Sequence, residues 1–237
     1  MNPYKKLLNR KRKWTPVQTT AGTCKEGAEE AIHRALALRH MELPVGDFIT
    51  DALASEIPSL AREILVSNVK DEENHDLALG YIANAYGVDE QAEAEALRLK
   101  SAWEAHPDHT ITKALVAERA IFFVLLPFFR FNGDAGMRTV SADISRDEQI
   151  HVATNSLVHT ELGYNISPSL DKLRKATINW VMQPLGDHAD KYLNKKFWLD
   201  SSDRLMYQGK APQLAATKAA RMPAFFEHSN VNLPQYA

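Results

Sequence analysis

Two stretches of the chain, Lys70–His75 (KDEENH) and Arg146–His151 (RDEQIH), share one pattern 76 positions apart: a basic residue, then Asp-Glu-x-x-His. On a helix, residues at i and i+3 share a face, so Glu72 pairs with His75 and Glu148 with His151. Apolar neighbours place those faces inward: Leu65, Val69 and Leu79 flank the first pair, Ile144 and Val152 the second. An ionised carboxylate in an apolar core is costly unless it is paired or binds a cation. A fold that buries both pairs must therefore give them partners, and two such pairs on facing helices can share a cation.

The duplication extends further back. Glu42 stands 30 residues before Glu72, and Glu118 stands 30 before Glu148. Glu42 is the one charged position on the helical stripe Ala31, Ala35, Leu38, Val45, Ile49 and Ala52. Glu118 interrupts the stripe Ile111, Ala114, Leu115, Ile121, Phe122 and Leu125 in the same way. Four carboxylates and two imidazoles suit two iron ions, two manganese ions or one of each, with positions left open. Asp71 and Asp147, each just before a candidate ligand, are candidate acceptors for a ligand imidazole N–H. The competing reading is a set of solvated or ion-paired carboxylates, with His75 and His151 satisfied in the core. Pro44 and Gly46 require the first helix to kink or end near Glu42, which leaves Glu29 and Glu30 as alternative first ligands.

The same periodicity runs through most of the chain, and alternating β-branched runs between turn residues are scarce. Helices are expected from about 58 to 85, 90 to 105, 111 to 131 and 135 to 162, with Asp89 as a cap and Gly87, Asn132-Gly133 and Gly163 as stops. The helix over 111–131 is apolar nearly all round and is expected at the centre. Shorter helical pieces should follow Pro168, broken at Pro184, Gly186, Gly209 and Pro223, before an irregular tail from His228. The expected fold is all-α: a four-helix core over 26–163 with an inserted helix, and a C-terminal helical extension over 164–237 of the same domain.

Residues 1–25 form a basic arm with no Asp or Glu before Glu26. It is expected to be solvated and loosely held; docking to a nucleic acid or a partner, or organellar targeting, are the alternatives. The formal net charge of −2 gives no global pull toward nucleic acid or anionic membrane. The longest apolar run, Ala120–Phe129, is too short to span a bilayer. No apolar leader is apparent, and the single Cys24 suits a reducing compartment, so a cytoplasmic location is expected.

One Glu from each of two helices and a Glu-x-x-His from each of two others resembles the ferritin-like di-iron and dimanganese carboxylate proteins. Within that group, AERAIFF (117–123) and DISRDEQIH (143–151) look most like the small, radical-generating subunit of ribonucleotide reductase. The resemblance covers roughly residues 28–162 and is sharp around the candidate ligands. It implies a ferritin-like bundle and an oxygen-activating dinuclear site with Glu42, Glu72, His75, Glu118, Glu148 and His151 as ligands. Asp147 would match that family's hydrogen-bond acceptor for a ligand His.

The chain also departs from that pattern. A radical-bearing Tyr normally stands four residues after the first motif's His; here that residue is Leu79, with Tyr81 and Tyr86 out of register. The 46-residue interval from Glu72 to Glu118 is closer to smaller di-iron oxygenases such as the aldehyde-deformylating ones. The expected activity is an O2-activating oxidoreductase that takes electrons from a donor and acts on a small molecule. Alternatives are a true reductase small subunit that serves a large subunit, with Tyr236 in a docking tail, and a non-enzymatic ferritin-like iron-binding protein. A homodimer is the expected assembly. Leu79 and Phe122 are candidate pocket-lining residues; Trp14, Trp103, Trp180 and Trp198 are expected in packing, with Trp14 as an alternative electron relay.

Overall fold

A computed structural model describes residues 2–207, and among them the chain is all-α, with no strand. The breaks expected at Gly209 and Pro223, the tail from His228 and the docking role of Tyr236 lie outside the described residues. The helices are α1 (Pro3–Leu8), α2 (Glu29–Ala37), α3 (Glu42–Leu53), α4 (Arg62–Tyr86), α5 (Glu90–Glu104), α6 (Thr110–Ala117), α7 (Phe123–Asn132), α8 (Ala135–Glu161), α9 (Pro168–Met182) and α10 (Lys195–Tyr207). Their ends follow local chemistry. Asp89, Asp134 and Ser167 accept the amides of Ala92, Met137 and Leu170 at 2.7, 2.8 and 3.1 Å, satisfying first-turn donors. After α4, Gly87 takes φ +97°, a left-handed value that a residue with a Cβ rarely adopts.

Four helical stretches surround the interior. α3 packs on α4, α4 on α8, α8 on both α6 and α7, and α6 back on α3. Residues from each inner face form the core, including Val45 and Ile49, Leu65 and Ile82, Ile111 and Phe128, and Ile144. α5 lies outside this ring against α2 and α9, and α9 and α10 pack together against the Glu118–Phe122 segment. Arg174 anchors that layer. It is buried and donates to Ser202, Asp171 and Asp203 at 2.6, 2.7 and 2.8 Å. Among the described residues no helix is long and apolar enough to cross a membrane.

Two local departures from the expected helices bear on the interior. The stripe over 31–52 is not one helix: α2 stops at Ala37, a 3-10 turn spans Leu38–Met41, and α3 starts at Glu42. In a continuous helix the Pro44 ring would clash with the carbonyl of His40; restarting at Glu42 puts Pro44 in a first turn, where no amide is needed. The helix expected over 111–131 is likewise interrupted, by a π-helical turn at Glu118–Phe122 between α6 and α7. Such turns carry one extra residue per hydrogen-bonded ring and re-aim the side chains they bear.

The basic arm is anchored at several points, although Lys5, Lys6, Arg10 and Lys13 are exposed as expected, so it is not loosely held throughout. α1 lies against α8 and α4, and Tyr4 is buried. Farther along, Lys11 pairs with Asp71, and Arg12 reaches both Asp143 and Asp147. A short cationic segment stays with solvent unless it finds fixed counter-charges, and here α4 and α8 present them.

Candidate metal centre

All six predicted ligands converge inside the ring of helices. Glu42 opens α3, Glu72 and His75 lie on α4, Glu118 opens the π turn, and Glu148 and His151 lie on α8. None is more than 2% exposed. Glu29 and Glu30 are exposed at the start of α2, where Glu30 pairs with Arg34. The first position therefore belongs to Glu42. Starting a helix there aims its side chain across at α4, and Gly46, one turn on, lets α3 approach until a Cβ at 46 would lie 3.5 Å from Glu72.

The ligand atoms fall into two overlapping clusters, each with its atoms within 4.8 Å of one another: Glu42, Glu72, His75 and Glu148, and Glu72, Glu118 and His151. Glu72 belongs to both. One of its oxygens lies 3.3 Å from His75 Nδ1 and the other 2.9 Å from His151 Nδ1. Glu148 Oε1 also faces both rings, at 3.3 Å from His75 Nδ1 and 3.7 Å from His151 Nδ1. Glu42 and Glu118 sit at the two ends, 3.7 Å from His75 and 3.8 Å from His151. The 30-residue repeat thus closes into a pair of half-sites with Glu72 and Glu148 between them.

The imidazoles are oriented from behind. His75 Nε2 faces Asp147 Oδ2 at 3.4 Å, and His151 Nε2 faces Asp71 Oδ2 at 2.9 Å. Each motif's Asp serves the other motif's His. An Nε2–H donated to a carboxylate leaves Nδ1 bare toward the centre, the form in which imidazole binds a metal. Asn155 adds a further support, donating to Glu118 Oε2 at 2.6 Å and leaving Oε1 directed inward.

Burial and mutual proximity set the protonation of these groups. Burial pushes the Glu42 carboxyl up to about 8, against the opposing pull of His75. Burial and the nearby Glu148 charge raise Glu118 strongly, and burial raises Glu148. Burial acts in the same direction on Glu72, but the close imidazoles of His151 and His75 outweigh it and hold that carboxyl low. Burial would lower both imidazoles; the surrounding carboxylates instead raise His75 well above its usual range and His151 to about 10. Burial and close charges thus favour protons on this cluster, and protons on such groups are ones that a bound metal would displace. Eight inward atoms have no partner of hydrogen-bond geometry: Glu42 Oε2, both oxygens of Glu72 and of Glu148, Glu118 Oε1, and Nδ1 of His75 and His151. Buried polar atoms are nearly always satisfied, so a concentration of orphans in one place fits a cation bound between them.

Sequence reasoning missed Asn155 and the arm. Asn155 lies at i+4 from His151 on α8, so helical spacing could have found it. Lys11, Arg12 and Trp14 carry no such signal. Trp14, expected in packing, donates its indole N–H to Asp147 Oδ2 at 2.5 Å. Leu79 and Phe122 are both buried in the core, one turn from His75 and Glu118 respectively. Asn155→Ala should weaken binding at the Glu118–His151 side about 10- to 100-fold, as loss of such a support typically does. A stepwise manganese(II) titration that follows free ion by electron spin resonance would read this as the weakening of one binding step with the other retained.

These features define an all-α protein with a buried Glu/His cluster whose geometry can hold metal ions. Compared with protein-family models, curated proteins and solved structures, the chain matches none of them.

Proposed function

We propose that the chain is a dinuclear-metal, O2-activating oxidoreductase with a ferritin-like core, resembling the small subunit of ribonucleotide reductase. Glu42, Glu72, His75, Glu118, Glu148 and His151 would hold two iron ions, two manganese ions or one of each. The observation that carries this reading is the set of eight orphaned oxygen and nitrogen atoms inside one buried cluster. A mixed oxygen and nitrogen donor set with no thiolate suits iron and manganese. When bound, the ions would supply the redox equivalents for oxygen activation.

The chain's own residues do the rest. Asp147 and Asp71 fix the orientation of His75 and His151. Asn155 fixes Glu118. Phe122, Leu79, Ile144 and Ile121 are buried core residues one helical turn from Glu118, His75, Glu148 and Glu118 respectively, and would keep water from the centre. A purely solvated role for the carboxylates is disfavoured by their burial. Leu79 at the position of the usual radical Tyr favours chemistry on a small-molecule substrate over a radical stored at that site.

The test is metal content and oxygen uptake. The chain loaded anaerobically with iron(II) should bind about two ions, consistent with the two clusters, and should consume O2 on exposure to air. Glu72→Ala, which removes the carboxylate common to both clusters, is the control and should lose both properties. Full iron loading without O2 consumption would point to storage or structural metal and remove the oxidoreductase reading.

A further inference from the structure

The arm ends on the two carboxylates that orient the ligand imidazoles, and it brings one cation to each. Lys11 Nζ binds Asp71, whose other contact is His151 Nε2, and also donates to Asn68 Oδ1 at 2.8 Å. The Lys11 and Asp71 side chains are 8% and 13% exposed, so this pair is only weakly screened by water. Arg12 Nε lies 3.8 Å from Asp147 Oδ1, and Asp147 faces His75. The same guanidinium donates to the Asp143 carbonyl at 2.6 Å, and the Asp143 carboxylate is shared with Arg146. Trp14 completes the contact on Asp147 without adding charge. A segment outside the duplicated unit thus brings one cation to each half, in direct contact with Asp71 and at 3.8 Å from Asp147.

The formal charges then balance. Glu42, Glu72, Glu118, Glu148, Asp71 and Asp147 carry six negative charges. Two divalent ions return four of them, and neutral imidazoles return none. Lys11 and Arg12 return the remaining two, and the neighbouring Asp143 and Arg146 cancel each other. In a water-poor interior an uncompensated charge is expensive, so a centre neutral with two divalent ions resists the extra charge of trivalent ones.

We propose that Lys11 and Arg12 are valence-setting positioning residues of this centre: by holding Asp71 and Asp147 they balance its charge in the divalent state and bias it toward divalent over trivalent ions. This rests on the metal-centre reading above. Its consequence has a definite sign. Removing either cation leaves a net negative centre, which favours higher metal charge.

The experiment compares manganese(II) with citrate-buffered gallium(III), a trivalent ion that undergoes no redox chemistry. Affinities are measured for the full-length wild-type chain and for Lys11→Met, Lys11→Arg, Arg12→Met and Lys6→Met. Lys6 lies on α1 beside α8 and has no contact with either Asp, so it controls for loss of a basic residue from the arm. The ratio of gallium to manganese affinity should rise about tenfold or more in Lys11→Met and in Arg12→Met, as expected for one charge near the ions in a site of low effective dielectric. Lys11→Arg and Lys6→Met should leave the ratio at the wild-type value.

An arm that only packs would behave differently: Lys11→Met would weaken both ions alike and leave the ratio unmoved, which would overturn the proposal. A wild-type chain that takes up neither ion would overturn the metal centre and, with it, this inference. Thermal melts of each metal-free variant identify any that fail to fold, and the Arg12→Met arm then stands as the independent test.

Discussion

Glu72→Ala is expected to abolish uptake of both ions, where Glu118→Ala removes only one. The difference follows from the geometry. Glu72 is the one residue common to both clusters, with an oxygen directed at each imidazole. Glu118 belongs to a single cluster, and its loss leaves Glu42, Glu72, His75 and Glu148 intact around the other position. Folding should survive the change. Without metal, Glu72 faces both imidazoles, and its removal leaves the His75 ring beside Asp147, Glu42 and Glu148 and the His151 ring beside Asp71, Glu118 and Glu148. Metal analysis after gel filtration would give about two, one and zero ions per chain for wild type, Glu118→Ala and Glu72→Ala. Retention of one ion by Glu72→Ala at wild-type affinity would mean that the half-sites do not share this carboxylate.

The second large effect is on stability. In the metal-free chain four buried glutamates lie together, and Glu42, Glu118 and Glu148 are all pushed toward the neutral form. A ligand that binds only the folded state adds about 4 kcal/mol at a thousandfold excess over its Kd. For a chain of this size each kcal/mol raises Tm by about 2–4 °C. Saturating manganese(II) should therefore raise the Tm of the chelator-stripped protein by about 10 °C or more. Glu72→Ala should melt within a few degrees of wild type when both are metal-free and should gain nothing from the ion. A scanning-calorimetry pair with and without manganese measures this directly. A wild-type Tm that manganese leaves unchanged would show that the cluster is stable on its protons alone.

Much of this centre was legible from local spacing. Glu72 with His75 and Glu148 with His151 needed only the i, i+3 geometry of a helix and apolar neighbours to mark the buried side. Glu42 needed its isolation on an apolar stripe, although the stripe proved to be two helices with a 3-10 turn between them. Helix ends at Asp89, Gly87 and Gly163 were legible because capping is a contact between residues a few positions apart. The π turn was not: the residues over 118–122 fit an α-helical stripe equally well, and packing against α8, α9 and α10 accompanies the wider turn.

What the sequence by itself determined is most of the helices and the inward Glu and His side chains on them, since both follow from interactions within one or two turns. What only the tertiary structure decided is how those ligands are supported. Asp71 serves His151 and Asp147 serves His75, a crossed arrangement that depends on how α4 and α8 face each other. The arm that read as solvated lies on those same carboxylates, with Lys11 reaching Asp71 and Trp14 reaching Asp147 across 60 and 133 positions. The physical reason is range. A helix forms from near neighbours, but a buried charge is satisfied by whatever counter-charge the packed fold brings within a few ångströms, however far away it lies in the chain.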